Sequence, residues 1–138
     1  MTEDQILRFA DTFMQAIQSG DVTGARACYA PNAKIWHNTD NLEQSVDDNL
    51  KMLGWFMRKI PDRHYRIVRR EALKDGFIQQ HVLEATLPSG THWKMSACVV
   101  IKMEDGLITR LDEYLDSAEA SGLRELGRCT NRRLRTRY

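Results

Sequence analysis

Residues 106–116 contain the acid group of this chain that is best placed for chemistry. The segment alternates as a β-strand does, so that Leu111, Glu113 and Leu115, together with Thr109, fall on one face. Burying an ionised carboxylate without a partner costs on the order of several kcal/mol. Glu113 is therefore expected to be paired, protonated or open to a wet cavity. Each of these states suits a general acid or base beside a bound ligand.

Two histidines also lie on apolar strand faces. His81 is on the apolar side of a strand predicted over residues 77–87, and His37 is on that of a strand over residues 33–37. Imidazole titrates near neutrality, which suits proton transfer. We therefore expect Glu113, alone or coupled with His81, to act as a base, and His37 to return the proton or bind an oxyanion.

The same residues also have structural interpretations. Glu113 can be a carboxylate at the rim of the sheet that pairs with Arg69 or Arg110, and His81 can be a core histidine with satisfied hydrogen bonds. An imidazole that faces Glu113 would favour the chemical interpretation. The sequence alone leaves both interpretations open.

Four further residues are candidates for the wall of a binding pocket: Phe13, Trp36, Asn38 and Trp93. The three aromatic side chains would provide apolar contact area, and the Asn38 amide would orient a polar group of the ligand. Trp36 is equally typical of core packing, and Asn38 is equally typical of a turn or a cap. The expected ligand is a small hydrophobic molecule.

The sequence lacks the motifs of several other chemistries. It contains no glycine-rich phosphate loop, no GxGxxG, no GxSxG and no HExxH. Its three cysteines, Cys28, Cys98 and Cys129, are odd in number and lack the spacing of a zinc site, which favours reduced thiols. We therefore expect no cofactor, no metal and a cytoplasmic location.

Length and composition fit one globular domain. The chain has 138 residues, of which 42% are hydrophobic, enough for a core of its own. Its first residues are acidic and polar, unlike a signal peptide, and no apolar run approaches the roughly 18 residues that span a bilayer. Association with a membrane is not expected.

The net charge of +1 conceals a basic C-terminus. Residues 124–138 contain six arginines against Glu125, a net charge of +5, which leaves about −4 for the remainder. Such a tail can bind nucleic acid or an acidic partner, although a solvated terminus is commoner. We therefore expect one domain over residues 1–123, a basic tail over residues 124–138 and no nucleic-acid partner.

Helical patterns dominate the first half of the chain. Residues 2–19 repeat apolar side chains at helical spacing behind a possible capping box. A short helix is predicted over residues 21–30. A third helix is predicted to begin at the capping pair Asp40 and Glu43 and to end at Pro61.

Alternating patterns predict strands over residues 33–37, 64–73, 77–87, 92–103 and 107–115. Short turns join the last four, as in an antiparallel meander, and no βαβ alternation is present. The sequence therefore predicts an α+β fold in which three N-terminal helices cover the concave face of a curved antiparallel sheet.

The order of these parts resembles the nuclear-transport-factor-two-like superfamily, and within it SnoaL-like proteins. The resemblance covers roughly residues 5–120 and is carried by the segments SGDVTGARACYAPNAKIWHN and DGLITRLDEYLD in that order. It implies a cone-shaped α+β barrel that encloses a deep, mostly apolar pocket, often in a homodimer.

The resemblance extends to particular positions. In the polyketide cyclases and epoxide hydrolases of that superfamily, an essential carboxylate follows the hairpin isoleucine at the spacing found here between Ile108 and Glu113. The Tyr-x-Asn pair of the epoxide hydrolases is matched only by Asn38. Their arginine and second aspartate correspond to His81 and Leu83, so that trio is incomplete here.

The ketosteroid isomerases of the superfamily are matched less well. Phe13 occupies the position of their first-helix tyrosine, and their base position falls at or near His37. The resemblance therefore implies a cofactor-independent enzyme that moves a proton on a carbonyl-bearing substrate, as a cyclase, isomerase or dehydratase. A non-catalytic ligand-binding or dimerisation module of the same fold remains the alternative.

Overall fold

The computed structural model describes residues 1–127, with helices packed on one six-stranded sheet. The elements in chain order are α1 (Glu3–Ser19), α2 (Val22–Ala27), β1 (Tyr29–His37), β2 (Leu42–Ser45), α3 (Val46–Lys59), β3 (Arg63–Leu73), β4 (Gly76–Thr86), β5 (His92–Glu104), β6 (Leu107–Leu115) and α4 (Ser117–Ala120), followed by a 3-10 turn (Ser121–Leu126). Helices precede the main run of strands, which confirms the predicted α+β class.

The strands lie in the order β2-β1-β6-β5-β4-β3. Strands β3 to β6 form the predicted antiparallel meander. Strand β2 is antiparallel to β1, but β1 runs parallel to β6, which the sequence analysis did not predict. The sheet is therefore mixed, and it curves around the helices without closing into a barrel.

Helix α1 has the caps that its sequence predicts. Thr2 Oγ1 accepts a hydrogen bond from the backbone N–H of Gln5 at 3.1 Å, and Gln5 Oε1 accepts one from that of Thr2 at 2.8 Å. Gly20 follows the helix with φ 77°, the left-handed conformation that glycine adopts without strain. These caps fix both ends of the helix that covers the sheet.

Helix α2 is shorter than predicted. It ends at Ala27 instead of continuing through residues 21–30, because strand pairing begins directly after it. The backbone N–H of Ile108 donates to the carbonyl oxygen of Cys28 at 2.9 Å. Tyr29 is consequently the first residue of β1, and its side chain belongs to the sheet.

The start of α3 also differs from the prediction. Leu42–Ser45 pairs with β1 as strand β2. Its backbone groups are thus hydrogen-bonded to β1 instead of within an additional turn of helix. Ser45 then caps the helix, its Oγ accepting from the backbone N–H of Asp48 at 3.1 Å. The predicted capping pair of Asp40 and Glu43 is therefore wrong.

Strand β6 is irregular at its start, where its register with β5 shifts. This shift turns Ile108, which is 0% exposed, toward the core and leaves Thr109 half-buried, the reverse of the predicted alternation. From Leu111 onward the predicted phase holds. The irregularity ends before Glu113, which lies in the cavity wall on the face that the sequence analysis predicted.

Two apolar clusters form the core. The larger joins the inner stripe of α1 to β1, β5 and β6, and includes Ile6, Phe13, Ile35, Val99 and Leu111. The smaller joins the end of α3 to β4, β5 and the C-terminal turn, and includes Phe56, Leu83, Met95 and Leu126. Residues of both clusters line the cavity described below, which therefore lies where the two meet.

The C-terminal turn is part of the packed domain. Leu126 is buried against the smaller cluster, beyond the predicted domain boundary at residue 123. The rest of the predicted basic tail, residues 128–138, lies outside the described residues. Within residues 1–127, no helix has both the length and the apolar character needed to cross a membrane.

Candidate active site

A cavity of ≈ 100 Å³ lies between the helices and the concave face of the sheet. Its wall is largely apolar and aromatic, with contributions from α1, α3 and five strands. Four polar side chains interrupt that wall: His37, Asn49, His81 and Glu113. The sequence analysis had selected three of them, all except Asn49, as candidates for chemistry.

Glu113 and His37 form a close pair in this wall. His37 Nε2 lies 2.7 Å from Glu113 Oε1, and the side chains are 3% and 21% exposed respectively. The pair arises because β1 and β6 are parallel and place these two residues opposite each other. A proton can pass between a carboxylate and an imidazole at this distance.

The structural interpretation of Glu113 paired it with Arg69 or Arg110 at the rim of the sheet. The structure pairs both arginines with other carboxylates. Arg110 Nε donates to Asp112 at 2.9 Å on the outer face, and Arg110 also pairs with Glu43. Arg69 Nη2 lies 3.0 Å from Glu71. Both guanidinium groups are thus engaged with other carboxylates.

The second nitrogen of His37 is unusual. Nδ1 is buried and has no hydrogen-bond partner within residues 1–127. If Nε2 carries the proton and donates it to Glu113, Nδ1 presents a lone pair. The imidazole can then accept a proton on one side while it holds the carboxylate on the other.

His81 lies on β4, and its ring packs edge-on against that of Tyr65 at a centroid distance of 5.6 Å. The hydrogen bond that its side chain makes among the described residues joins Nδ1 to Gln79 Nε2 at 3.0 Å. Burial lowers the pKa of His81, the charge of Glu113 opposes this shift, and the charge of Arg70 adds to it. The imidazole is therefore neutral at neutral pH.

The predicted couple of Glu113 and His81 is consequently rearranged. Both residues line the cavity and influence each other through charge, but the close partner of Glu113 is His37. His37 thus takes the place beside the carboxylate that the sequence analysis had assigned to His81.

Phe13 and Tyr29 form an aromatic part of the wall. Phe13, predicted to contact the ligand, lines the cavity and meets Tyr29 edge-to-face at 5.6 Å. Burial raises the pKa of the Tyr29 phenol, as do the charges of Glu113 and Cys28, so the hydroxyl stays protonated and can donate. Tyr29 was missed because it was assigned to a helix.

Trp36 and Trp93 do not line this cavity. Trp36 is on the opposite face of β1, where its Nε1 donates to Asn41 Oδ1 at 2.9 Å and its ring packs against Tyr114. The Trp93 Nε1 donates to the carbonyl oxygen of Glu119 at 2.8 Å near the C-terminal turn. Alternation explains Trp36, since it is one position from His37 and points outward.

Asn38 is also outside the cavity wall. Its Oδ1 accepts from the backbone N–H of Leu115 at 2.8 Å, and its Nδ2 donates to the carbonyl oxygen of the same residue at 3.2 Å. The side chain thus continues the β1–β6 ladder past its last pair. This is the turn-type role that the sequence analysis had kept as the alternative.

Metal ligands are not clustered in the described part of the chain. Among residues 1–127, no group of three or more His, Cys, Asp or Glu side chains could hold a metal ion. The cavity offers a hydrogen-bonded acid–base pair, a neutral histidine and a phenol, in a mostly apolar wall.

The fold and cavity define an α+β domain in which helices pack on a curved mixed sheet around a mostly apolar cavity. Within this class, the chain belongs to the SnoaL-like domain family, whose sequence profile matches residues 10–111. No curated protein matches the sequence. The fold of this family accommodates small-molecule enzymes and binding proteins.

Solved structures share the fold at low sequence identity. A putative hydroxylase, AclR, from Streptomyces galilaeus has a TM-score of 0.79 at 15% identity, over 94% of this chain and 85% of that one. IdmH, a putative polyketide cyclase from Streptomyces antibioticus, has a TM-score of 0.77 at 17% identity, over 86% and 96%. An LEH-like epoxide hydrolase from M. tuberculosis has a TM-score of 0.71 at 16% identity, over 87% and 89%.

Proposed function

We propose that this protein is a cofactor-independent enzyme that moves a proton on a small hydrophobic substrate bearing a carbonyl group. The observation that carries the proposal is the hydrogen bond of 2.7 Å between Glu113 Oε1 and His37 Nε2 in the wall of an apolar cavity. The hydrogen bond to His37 orients the Glu113 carboxylate in this wall, where it can accept a proton from a bound substrate.

The reaction begins when Glu113 removes a proton from the carbon next to the carbonyl group. The C–H bond breaks, its electron pair forms an enolate, and the new negative charge rests on the carbonyl oxygen. The protonated Tyr29 hydroxyl and the His81 imidazole are donors in the same wall that can bind this oxygen. His37 holds the Glu113 carboxylate in place and can share its proton.

The fate of the enolate then decides the reaction type. Return of the proton at another carbon gives an isomerisation, and attack of the carbanion on a second carbonyl group gives a cyclisation. Loss of a β-hydroxyl group, protonated as it leaves, gives a dehydration. All three outcomes start from the same proton removal, so that step is the one to test.

The test is exchange of hydrogen for deuterium at the α-carbon of small cyclic ketones, such as 2-tetralone and cyclohex-2-enone, followed by NMR in D₂O. The wild-type protein should accelerate exchange, and Glu113→Gln should lower the accelerated rate by about 100-fold or more. The glutamine keeps the size and a hydrogen bond to His37 but removes the base.

Asp112→Asn is the matched control. It makes the same chemical change one position away, on the outer face where Asp112 pairs with Arg110. It should leave the exchange rate unchanged. Equal rates in Glu113→Gln and the wild type, or equal losses in both variants, would contradict Glu113 as the base.

The second candidate is a binding protein without catalysis. A cavity of ≈ 100 Å³ is smaller than most ligand sites, and the side chains of Met52, Phe56 and Met95 occupy space in its wall. Under this alternative, the same ketones should raise the melting temperature of the protein without any exchange. Stabilisation together with Glu113-dependent exchange favours the enzyme.

We also propose a homodimer formed through the outer face of the sheet. Val68 on β3 and Tyr114 on β6 border one depression there and are 55% and 49% exposed. Light scattering should give about twice the 16.0 kDa of one chain. The variant Val68→Glu should reduce the mass toward that of one chain, whereas Glu104→Gln, away from this depression, should not.

A further inference from the structure

A continuous line of side chains connects helix α1 to the cavity. Arg70 Nη1 on β3 lies 2.5 Å from Asp11 Oδ1 on α1, and Arg70 Nε donates to Gln79 Oε1 on β4 at 2.9 Å. The amide of Gln79 then reaches His81, with 3.0 Å between Gln79 Nε2 and His81 Nδ1. Only the last residue of this line borders the cavity together with Glu113.

The chemistry of the first residues fixes the proton on the last. A guanidinium group has donors only, so the oxygen of the Gln79 amide must face Arg70. The nitrogen of the amide therefore faces His81, and an amide nitrogen only donates. His81 Nδ1 must accept this bond, which leaves Nε2 as the protonated nitrogen of a neutral ring.

Burial makes this assignment hard to reverse. Gln79 is 0% exposed and His81 is 5% exposed, so water cannot replace a mismatched hydrogen bond. A flipped amide would oppose its NH₂ group to the arginine, and a charged imidazole would oppose an N–H group to the amide. Both arrangements set donors against donors in the core.

The charged and titratable groups around His81 act in both directions. Burial lowers the pKa of the His81 imidazole, and the charge of Arg70 on β3 lowers it further. The charge of Glu113 on β6 raises it. The ring of Tyr65 on β3 packs against the His81 ring in a T-shaped arrangement. The net shift is downward and agrees with the hydrogen-bond assignment.

We propose that Arg70 and Gln79 are positioning residues that hold His81 as a neutral Nε2–H donor, and that this donor binds an acceptor oxygen of the ligand. The identity of that oxygen as the substrate carbonyl rests on the proposed function. The ligand class follows: a ketone, quinone or ester oxygen at the His81 end, and no ammonium group there.

The test is NMR of the full chain labelled with ¹⁵N, which distinguishes the two neutral tautomers of histidine from the imidazolium ion. The chain has four histidines, and the loss of one signal set in His81→Gln assigns this one. His81 should be the Nε2–H tautomer at neutral pH, and it should become charged only at a pH below the usual titration of histidine.

Gln79→Glu replaces the amide donor that faces His81 with an acceptor and is the decisive variant. Its carboxylate accepts from both Arg70 and His81, so His81 should carry a proton on Nδ1 and titrate at a higher pH than in the wild type. Gln80→Glu makes the same change one position away on the outer face and should leave the His81 signals unchanged. If the buried variant does not fold, Arg70→Gln, which removes the fixed donor, should yield a mixture of tautomers.

The inference is overturned if wild-type His81 carries its proton on Nδ1 or is charged at neutral pH. It is also overturned if Gln79→Glu and Gln80→Glu give the same His81 signals. These readouts need no turnover. The Nε2–H tautomer without ketone exchange would support the positioning role and contradict the enzyme proposal. Ketone exchange with a different tautomer would support the enzyme proposal and contradict the positioning role.

Adding cyclohexanone provides the ligand arm of the test. The His81 Nε2–H signal should shift in the wild type, and the shift should be lost in Gln79→Glu. Cyclohexylamine, which is an ammonium ion at neutral pH, should produce no such shift. An equal response to both compounds would contradict the acceptor-only ligand class.

Discussion

His37 and Glu113 face each other across the parallel strands β1 and β6, with 2.7 Å between His37 Nε2 and Glu113 Oε1. Side chains at paired positions leave the sheet on the same face, so both enter the cavity wall. His37 is almost fully buried, and Glu113 is 21% exposed. Little water competes for this hydrogen bond, which strengthens it relative to a surface pair.

A double-mutant cycle should measure that coupling. His37→Phe and Glu113→Gln should each lower the free energy of unfolding by about 1–2 kcal/mol, because each leaves a partly buried polar group without its partner. The double variant should lose less than the sum, with a coupling energy of about 1 kcal/mol. Urea unfolding provides the four free energies.

The control cycle uses the next register pair, Trp36 and Asp112, whose side chains are on the outer face. Trp36→Phe and Asp112→Asn should be additive within about 0.5 kcal/mol. Additivity of the His37 and Glu113 variants as well would show that the close distance has no energetic consequence.

Alternation along single strands predicted only part of the cavity wall, since Trp93, a predicted wall residue, lies outside it. It placed Glu113 and His81 correctly, because each is on a regular stretch of its strand. It failed for the partner of Glu113, because that partner depends on β1 lying parallel to β6. Such pairing between distant segments leaves no trace in local periodicity.

Tyr29 shows a second kind of limit. The sequence analysis took Asp21 as a helix N-cap and Pro31 as the residue that ends the helix, and it therefore continued α2 through Ala30. The odd positions 29, 33, 35 and 37 nevertheless all point inward in β1. Alternation is interrupted at the exposed Pro31, where the register with β6 shifts, so the inward position of Tyr29 could not be extended from His37.

The phenol of Tyr29 provides a direct test of the donor side of the cavity. Its pKa is raised by burial and by the charges of Glu113 and Cys28, so it remains a donor throughout the physiological range. Tyr29→Phe should lower ketone exchange by about 10-fold to 100-fold while the protein stays folded.

Tyr114→Phe removes the same hydroxyl from an exposed tyrosine on the outer face. Its exchange rate should equal that of the wild type. A Tyr29→Phe protein with unchanged exchange would leave His81 as the remaining candidate donor to the oxyanion. The circular dichroism spectra of both variants should match the wild type.

The pH dependence of stability should report the environment of His81. Its pKa in the folded protein is lowered by burial, with Glu113 opposing and Arg70 adding to the shift. The unfolded chain then binds more protons than the folded one below about pH 6.5. This group therefore contributes stability that is complete above about pH 6.5 and is lost as the pH falls through the folded-state pKa.

His81→Gln should remove this contribution. The free energy of unfolding of the wild type should fall more steeply between about pH 6.5 and 5 than that of the variant, by at most about 1.4 kcal/mol per pH unit. His92→Gln, which replaces an exposed histidine, should keep the wild-type slope. A wild-type curve parallel to that of His81→Gln would contradict the direction of the shift.

Gly76 is the position where the hairpin that carries His81 tolerates the least change. An added Cβ would lie 1.8 Å from the carbonyl oxygen of Ile101, a backbone atom of β5 that cannot move aside alone. Gly76→Ala should therefore lower the free energy of unfolding by about 2 kcal/mol or more. The residue begins β4, so any displacement of the strand shifts Gln79 and His81 relative to Arg70.

Gly90→Ala separates the clash from the effect of backbone conformation. Gly90 also has a positive φ of 89°, but no atom of residues 1–127 lies within 4 Å of an added Cβ. Its substitution should cost only about 1 kcal/mol. If the two variants unfold at the same urea concentration, the contact of residue 76 with Ile101 does not destabilise the protein. The paired strands β4 and β5 can then move apart enough to accommodate a Cβ atom.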